Sequence, residues 1–428
     1  MTMKAGILGV HLMDAQGNPV RVGTLSRSAN GSTAFVVDET YLRTPPGMRP
    51  ILSLAWFNPV DDADTQTRLG IRSDKIALHG FVPPWFSNLL PEGALRSMVE
   101  AEMGQGDHDQ FDVLARLGAD LPGAVMIVPE TGIGPDRDVR WENLHGFRVP
   151  VPEGIVKFSL AGVQLKFTAE IHGERLSAPA RSGAGRFILK VPSERHPHLP
   201  EAEYAAMTLC RAVGIDTAHC YLKPTSQVDG VPAEFLRHGD CVLVVERFDR
   251  ASDGKRIHME DMAQVLGASE IQKYSRGNGE TILACITRFS ADWRTDILEA
   301  MRRIVADVLI GNGDNHLKNW SFYFPSGSDP RLSPAYDIVP TWLYDHDDTL
   351  AIKFVGVRSA TGLGFSKFRR AAAYLNLDTD ATERDLRQFT QSCLDIWPTL
   401  IRDLPLERSR ADRLMARMRA TRLAQEAR

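Results

Sequence analysis

Gly311-Asn312-Gly313-Asp314-Asn315-His316-Leu317-Lys318-Asn319-Trp320 is the stretch on which the reading of the fold turns. Before it, Ile297, Leu298, Met301, Ile304, Val305, Val308 and Leu309 recur at the spacing of a buried helix, and Gly311 stands where such a helix ends. The chain leaves through a glycine-rich turn, presents an aspartate, and five residues later an asparagine. A second acid, Asp337, follows in Pro334-Ala335-Tyr336-Asp337-Ile338, after an apparent hairpin through 321–324 and 325–330. Asp and Asn in a glycine-rich loop are by themselves ordinary turn formers. The buried helix before them and the second acid after them ask for more than a turn.

Asp-x-x-x-x-Asn is the spacing of a kinase catalytic loop. The aspartate accepts the proton of the substrate hydroxyl, the asparagine reaches a Mg²⁺ on the phosphates, and one loop brings both to the same cleft. Asp337 falls where a kinase places its metal-binding aspartate, with Tyr-Asp-Ile in place of Asp-Phe-Gly. Lys190 interrupts the apolar strand Phe187-Ile188-Leu189-Lys190-Val191, where a buried ammonium needs a counter-charge. Glu203 is a suitable partner, because a helix from Pro200 to Gly214 puts it in one stripe with Met207 and Cys210. The alternative is a strand-edge lysine in solvent and a first-turn glutamate stabilised by the helix dipole.

Ser159-Leu160-Ala161-Gly162-Val163-Gln164-Leu165-Lys166 lies between two strand-like runs, where a phosphate-covering loop belongs. One glycine is a poor match to GxGxxG, yet the backbone amides of Ala161, Gly162, Val163 and Gln164 can form an anion nest. Val245-Glu246-Arg247-Phe248-Asp249 ends a wholly apolar strand and suits a hinge whose backbone reads adenine while Phe248 packs on it; ordinary core is the other role open to Phe248. His316 with Asp337 could instead ligate metal in a phosphoesterase, although no second histidine motif stands at useful spacing. Asp107-His108-Asp109 and Asp345-His346-Asp347-Asp348 read as solvated loops. The arginine-rich end, 408–428, reads as a terminal helix with a basic face that docks on a partner.

The 428 residues suffice for two or three domains, and 43% hydrophobic with 24% charged residues is the balance of a globular protein. A net charge of −4 gives the whole surface no electrostatic pull on nucleic acid. No apolar run is long enough to span a bilayer, and the N-terminus lacks the layout of a signal peptide. Five cysteines without CxxC spacing argue against structural zinc and a disulfide framework, and for a reducing cytoplasm. Residues 1–130 read as a β-rich domain. Strand-like runs there include Ala34-Phe35-Val36-Val37 and Ile51-Leu52-Ser53-Leu54-Ala55-Trp56-Phe57, and a helical piece covers 85–100. A polar, turn-rich linker covers 131–154. A strand-rich lobe with phosphate loop and hinge follows over 155–250, then a helical lobe over 251–428. The expected class is α+β: a two-lobed protein-kinase-like fold behind an N-terminal β-rich domain.

The motifs together resemble the HipA family of serine/threonine kinase toxins. Trp85-Phe86-Ser87-Asn88-Leu89-Leu90-Pro91-Glu92-Gly93 and Ala115-Arg116-Leu117-Gly118-Ala119-Asp120-Leu121-Pro122-Gly123-Ala124 resemble its N-terminal domain. The segments 159–166, 187–190, 199–204, 245–250, 311–319 and 332–338 follow in family order, so the resemblance spans nearly the whole chain. It implies ATP and Mg²⁺ as cofactors, Asp314 as catalytic base, Asn319 and Asp337 as Mg²⁺ ligands, and Lys190 as the phosphate lysine. Glu203 supports that lysine, Glu246 and Phe248 fall at the adenine hinge, and Ser159 matches a loop serine whose autophosphorylation inactivates the enzyme. Leu165-Lys166-Phe167 departs from relatives with Pro or Glu before the lysine. The implied partners are a small dimeric helix-turn-helix antitoxin of the HipB kind, DNA mainly through that antitoxin, and a protein substrate of the translation machinery, an aminoacyl-tRNA synthetase in the best-known case. Two other readings stay open: a corepressor-like binding module for a DNA-binding antitoxin, and a small-molecule or lipid kinase.

Overall fold

The computed structural model of the chain describes residues 6–104, 106–130, 165–173, 175–178 and 185–427. The first sheet has the order Ile76–Ala77, Thr33–Val37, Pro19–Arg27, Gly6–Met13, Val125–Pro129, antiparallel throughout. A second sheet of six strands runs Val228–Asp229, Arg175–Ser177, Lys166–His172, Phe187–Lys190, Cys241–Glu246, Cys220–Pro224.

Alternation along that second sheet explains its composition. Leu189, Val242 and Val244 join the core shared with the N-terminal sheet, whereas Ile188, Leu243 and Val245 join the core of the helical part. Both faces are therefore buried, and 242–245 can be apolar at every position.

The helix Leu199–Ala212 lies against this sheet, with Gly214 at φ 86° just beyond its end. Trp397, on the long helix Thr379–Asp403, donates its indole N–H to the Leu209 carbonyl at 2.8 Å and joins the helical part to it. The helical part is built on Gly279–Phe289, Trp293–Ile310, Phe365–Tyr374 and Thr379–Asp403, closed by Arg408–Ala420 and Arg422–Ala427.

Two local expectations need correction. The run 51–57 is not a strand: Leu54–Trp56 is a 3₁₀ turn capped by the Ser53 hydroxyl. Buried Glu260 fixes it, accepting from the Leu54 N–H at 2.6 Å and the Ser53 hydroxyl at 2.8 Å. The helical piece over 85–100 is two helices, Pro84–Ser87 and Gly93–Glu102, interrupted ahead of Pro91, which disfavours helix at the residue before it. The linker 131–154, the start of the strand-rich lobe, and Ser159, Ala161, Gly162, Val163 and Gln164 lie outside the described residues.

Candidate functional site

Strand register builds the first half of the site. Lys166 and Lys190 are directly opposite each other on antiparallel strands, so both side chains leave the same face. Like charges in such a pair repel unless something stands between them. Asp337 does: one carboxylate oxygen takes Lys190, and the other takes Lys166 at 3.2 Å. Glu203, on the helix behind the sheet, takes Lys190 from the other side. Lys190 is 4% and Glu203 0% exposed. Burial opposes the Lys190 charge, yet Asp337 and Glu203 outweigh it and raise the ammonium above its ordinary value. Burial likewise works to push Asp337 up, and the two lysines hold it well below the usual carboxylate range. Burial lowers Lys166 despite Asp337, as expected where two ammoniums share one acid.

Asp337 has a left-handed backbone, φ 59°, unusual for a residue other than glycine. Its segment is pinned on both sides. Ala218 N–H donates to Ala335 O at 2.9 Å and Ala335 N–H to Asp216 O at 2.7 Å. The Tyr336 hydroxyl reaches the Lys318 carbonyl at 2.9 Å.

The second half grows from the end of the helix Trp293–Ile310. Gly311 closes it at φ 84°, and a Cβ there would stand 2.9 Å from Trp342 Cβ. Arg417, from the terminal basic helix, is buried here, donates to the Val308 carbonyl and pairs with Asp348 at 3.1 Å. That arginine therefore supports the loop from inside the fold. The loop then folds on its own amides: Asn319 Nδ2 donates to the Asp314 carbonyl at 3.0 Å. The Asp314 carboxylate accepts the Tyr274 hydroxyl at 2.9 Å, and burial raises it above the ordinary value.

Asp307 anchors the loop from below. It accepts Asn312 Nδ2 at 2.8 Å and Asn315 Nδ2, while Asn312 Oδ1 accepts the Asp314 N–H at 3.2 Å. Burial pushes the Asp307 carboxyl up to about 7 against those two amides. An acid raised in the folded state costs stability progressively as pH climbs from its unfolded value near 4 to about 7. Asp307→Asn removes that titration. Its melting temperature relative to wild type is expected to be higher at pH 8 than at pH 4.5; a difference that does not change with pH refutes the assignment.

The two halves meet across one cleft. Its apolar end is lined by Ile188, Ala218, Val245, Phe248, Met259 and Tyr336. Phe248 tilts against Tyr336 with centroids 5.6 Å apart. Glu246 pairs with Arg186 at 2.9 Å. The N–H groups of Glu246 and Arg247 are taken by the His219 and Arg186 carbonyls, so a nucleobase here would be read by other atoms of the 246–248 backbone. The polar end holds Asp314, His316 and Arg195, and Lys166, Asn319 and Asp337 line both ends. Among the described residues no three His, Cys, Asp or Glu side chains gather as a ready-made metal centre. Asn319 and Asp337 suit instead a cation that takes its remaining oxygens from phosphates and water. An apolar slot followed by two buried ammoniums and a carboxamide–carboxylate pair fits a nucleotide carrying Mg²⁺.

Lys166, Tyr274 and Asp307 have no assigned part in the sequence reading. Asp307 stands in the last turn of the helix Trp293–Ile310, off the stripe formed by Ile297, Met301, Val305 and Val308.

Family models match the chain over most of its length: the HipA N-terminal domain at residues 13–128 and the HipA-like C-terminal domain at 158–397. The protein Y4dM of Sinorhizobium fredii is 34% identical over 413 residues, 96% of this chain and 95% of that one. The serine/threonine-protein kinase toxin HipA of Shewanella oneidensis is 28% identical over 295 residues, 62% of this chain and 64% of that one. The HipA chain in the structure of the Shewanella oneidensis HipA, HipB and operator DNA complex superposes with a TM-score of 0.69 at 21% identity, covering 97% of each chain, so the two share an α+β fold. By the extent of both family models and the length of the match to Y4dM, the chain belongs to the HipA family.

Proposed function

We propose that this chain is an ATP-dependent serine/threonine protein kinase and the toxin of a toxin–antitoxin pair. The observation that carries the reading is Lys190, buried between Glu203 and Asp337 in the cleft that also contains Asp314 and Asn319. Lys190 grips the nucleotide phosphates with Lys166 beside it, the apolar slot ending at Glu246 and Phe248 takes the base, and Asn319 and Asp337 hold Mg²⁺. Bound Mg²⁺ supplies charge neutralisation on the phosphates. Asp314 accepts the proton of the acceptor hydroxyl. Ala161 to Gln164 cover the phosphates, and Ser159 is the site of an inactivating autophosphorylation.

The partner is a small dimeric helix-turn-helix antitoxin through which the chain meets DNA, and the acceptor is a protein of the translation machinery. The likeness to the Shewanella oneidensis toxin, and to the fold found with HipB and operator DNA, supports this. The described helices include none long and apolar enough to cross a membrane.

The test incubates the phosphatase-treated full chain and Mg-ATP with a bacterial lysate, and compares phosphosites with those produced by Asp314→Asn. New phosphoserine or phosphothreonine on a translation protein, absent with the variant, is expected. A single phosphate gained by the chain itself, and lost in Ser159→Ala, is expected alongside. Nucleotide binding without any new protein phosphosite would sink the protein-kinase reading in favour of a binding module or a small-molecule kinase.

A further inference from the structure

The Pro91-Glu92-Gly93 motif of the N-terminal module has no part in the chemistry above, yet it reaches the site. Glu92, 7% exposed, accepts Lys318 Nζ at 2.8 Å and Lys273 Nζ at 2.7 Å. Lys318 belongs to the loop of Asp314 and Asn319, and burial's upward push on the Glu92 carboxyl is outweighed by the two lysines. Lys273 precedes Tyr274 on the short 3₁₀ segment Glu270–Tyr274. Tyr274 presents its ring edge-on to His316, centroids 5.1 Å apart, with Lys273 Nζ 5.4 Å from its own centroid. It is 41% exposed, and its hydroxyl donates to Asp314 Oδ1 at 2.9 Å.

A general base must be hydrogen-bonded to the hydroxyl it deprotonates. In the resting chain that kind of contact is already made by a phenol. On the kinase reading of the site, we propose that Tyr274 is a positioning residue that holds the acceptor's place on Asp314, clamped there by Glu92 of the N-terminal module through Lys273 and Lys318. An incoming hydroxyl displaces the phenol, and the half-exposed ring has solvent to move into. The module thereby sets how readily the base is released to an acceptor.

Tyr274→Phe keeps the ring and removes the hydroxyl. With Mg-ATP and a degenerate mixture of serine and threonine peptides, KM for peptide is expected to fall about tenfold, the scale of one hydrogen bond to a charged group. kcat is expected to change less than KM, because the phenol has already left Asp314 once the acceptor is bound. Glu92→Gln is expected to lower KM in the same direction by a smaller factor.

An unchanged or raised KM in Tyr274→Phe overturns the proposal. An effect of Tyr274→Phe with none from Glu92→Gln overturns the part given to the module. A wild-type chain without Asp314-dependent transfer overturns the kinase reading instead, and the ¹³Cζ shift of Tyr274, compared between wild type and Asp314→Ala, then decides the hydrogen bond by itself.

Discussion

On the proposed kinase reading, Asp314→Asn is expected to lower phosphoryl transfer to a protein hydroxyl by about 10²–10⁴-fold, the contribution of a positioned general base. The substitution preserves shape, and the amide oxygen can still accept the Tyr274 hydroxyl that Asp314 accepts at 2.9 Å. What it removes is the capacity to take a proton. Asp314 lines the polar end of the cleft and is absent from the lining of the apolar end, so nucleotide binding is expected to survive. ADP release and peptide phosphorylation, read beside the ATP-induced rise in melting temperature, separate the two properties. The wild-type rate also carries a pH signature. Because burial raises the Asp314 carboxyl, activity is expected to be lost on acidification at a pH above that of an ordinary aspartate near 3.9. The asparagine variant's residual rate lacks that limb. An unimpaired Asp314→Asn enzyme would remove Asp314 from the role of base.

What the sequence discloses of this site follows from the range of each contact. Asp314 and Asn319 are five residues apart, and their hydrogen bond lies within one loop. Lys190 and Glu203 interrupt apolar patterns thirteen positions apart, and each break points to the other. The α+β class follows from the same local periodicities. Lys166 is a different case. Nothing near it marks it as a partner of Asp337, 171 positions away, until the antiparallel register sets it opposite Lys190. Glu92 meets Lys318 across 226 positions and Tyr274 meets Asp314 across 40. Nothing in the local sequence around Glu92 or Tyr274 points to so distant a partner. The misread strand at 51–57 has a similar origin: an apolar run does not declare its period, and Glu260, some 206 positions on, fixes Leu54 in a turn.

Lys190→Met tests stability and chemistry at once. The substitution leaves Glu203, at 0% exposure, without its counter-charge, whereas Asp337 retains Lys166 at 3.2 Å. Breaking a buried ion pair from one side costs about 3–5 kcal/mol, because the abandoned charge stays buried. The loss has a sign in pH. Burial already raises the Glu203 carboxyl with Lys190 opposing it, and without Lys190 it rises further. A carboxyl raised in the folded state costs nothing below its unfolded value near 4.3 and progressively more as pH climbs towards its folded value. Chemical denaturation should therefore show the variant's deficit at pH 7.5 shrinking towards pH 4.5. Adding Glu203→Gln removes the stranded charge, so Lys190→Met/Glu203→Gln is expected to regain most of the stability. Phosphoryl transfer should stay lost in the double variant, since neither methionine nor glutamine brings a charge to the phosphates. If the double variant recovers stability and activity together, Lys190 acts only as half of an ion pair. If it recovers stability alone, the buried ammonium is needed for what the cleft binds.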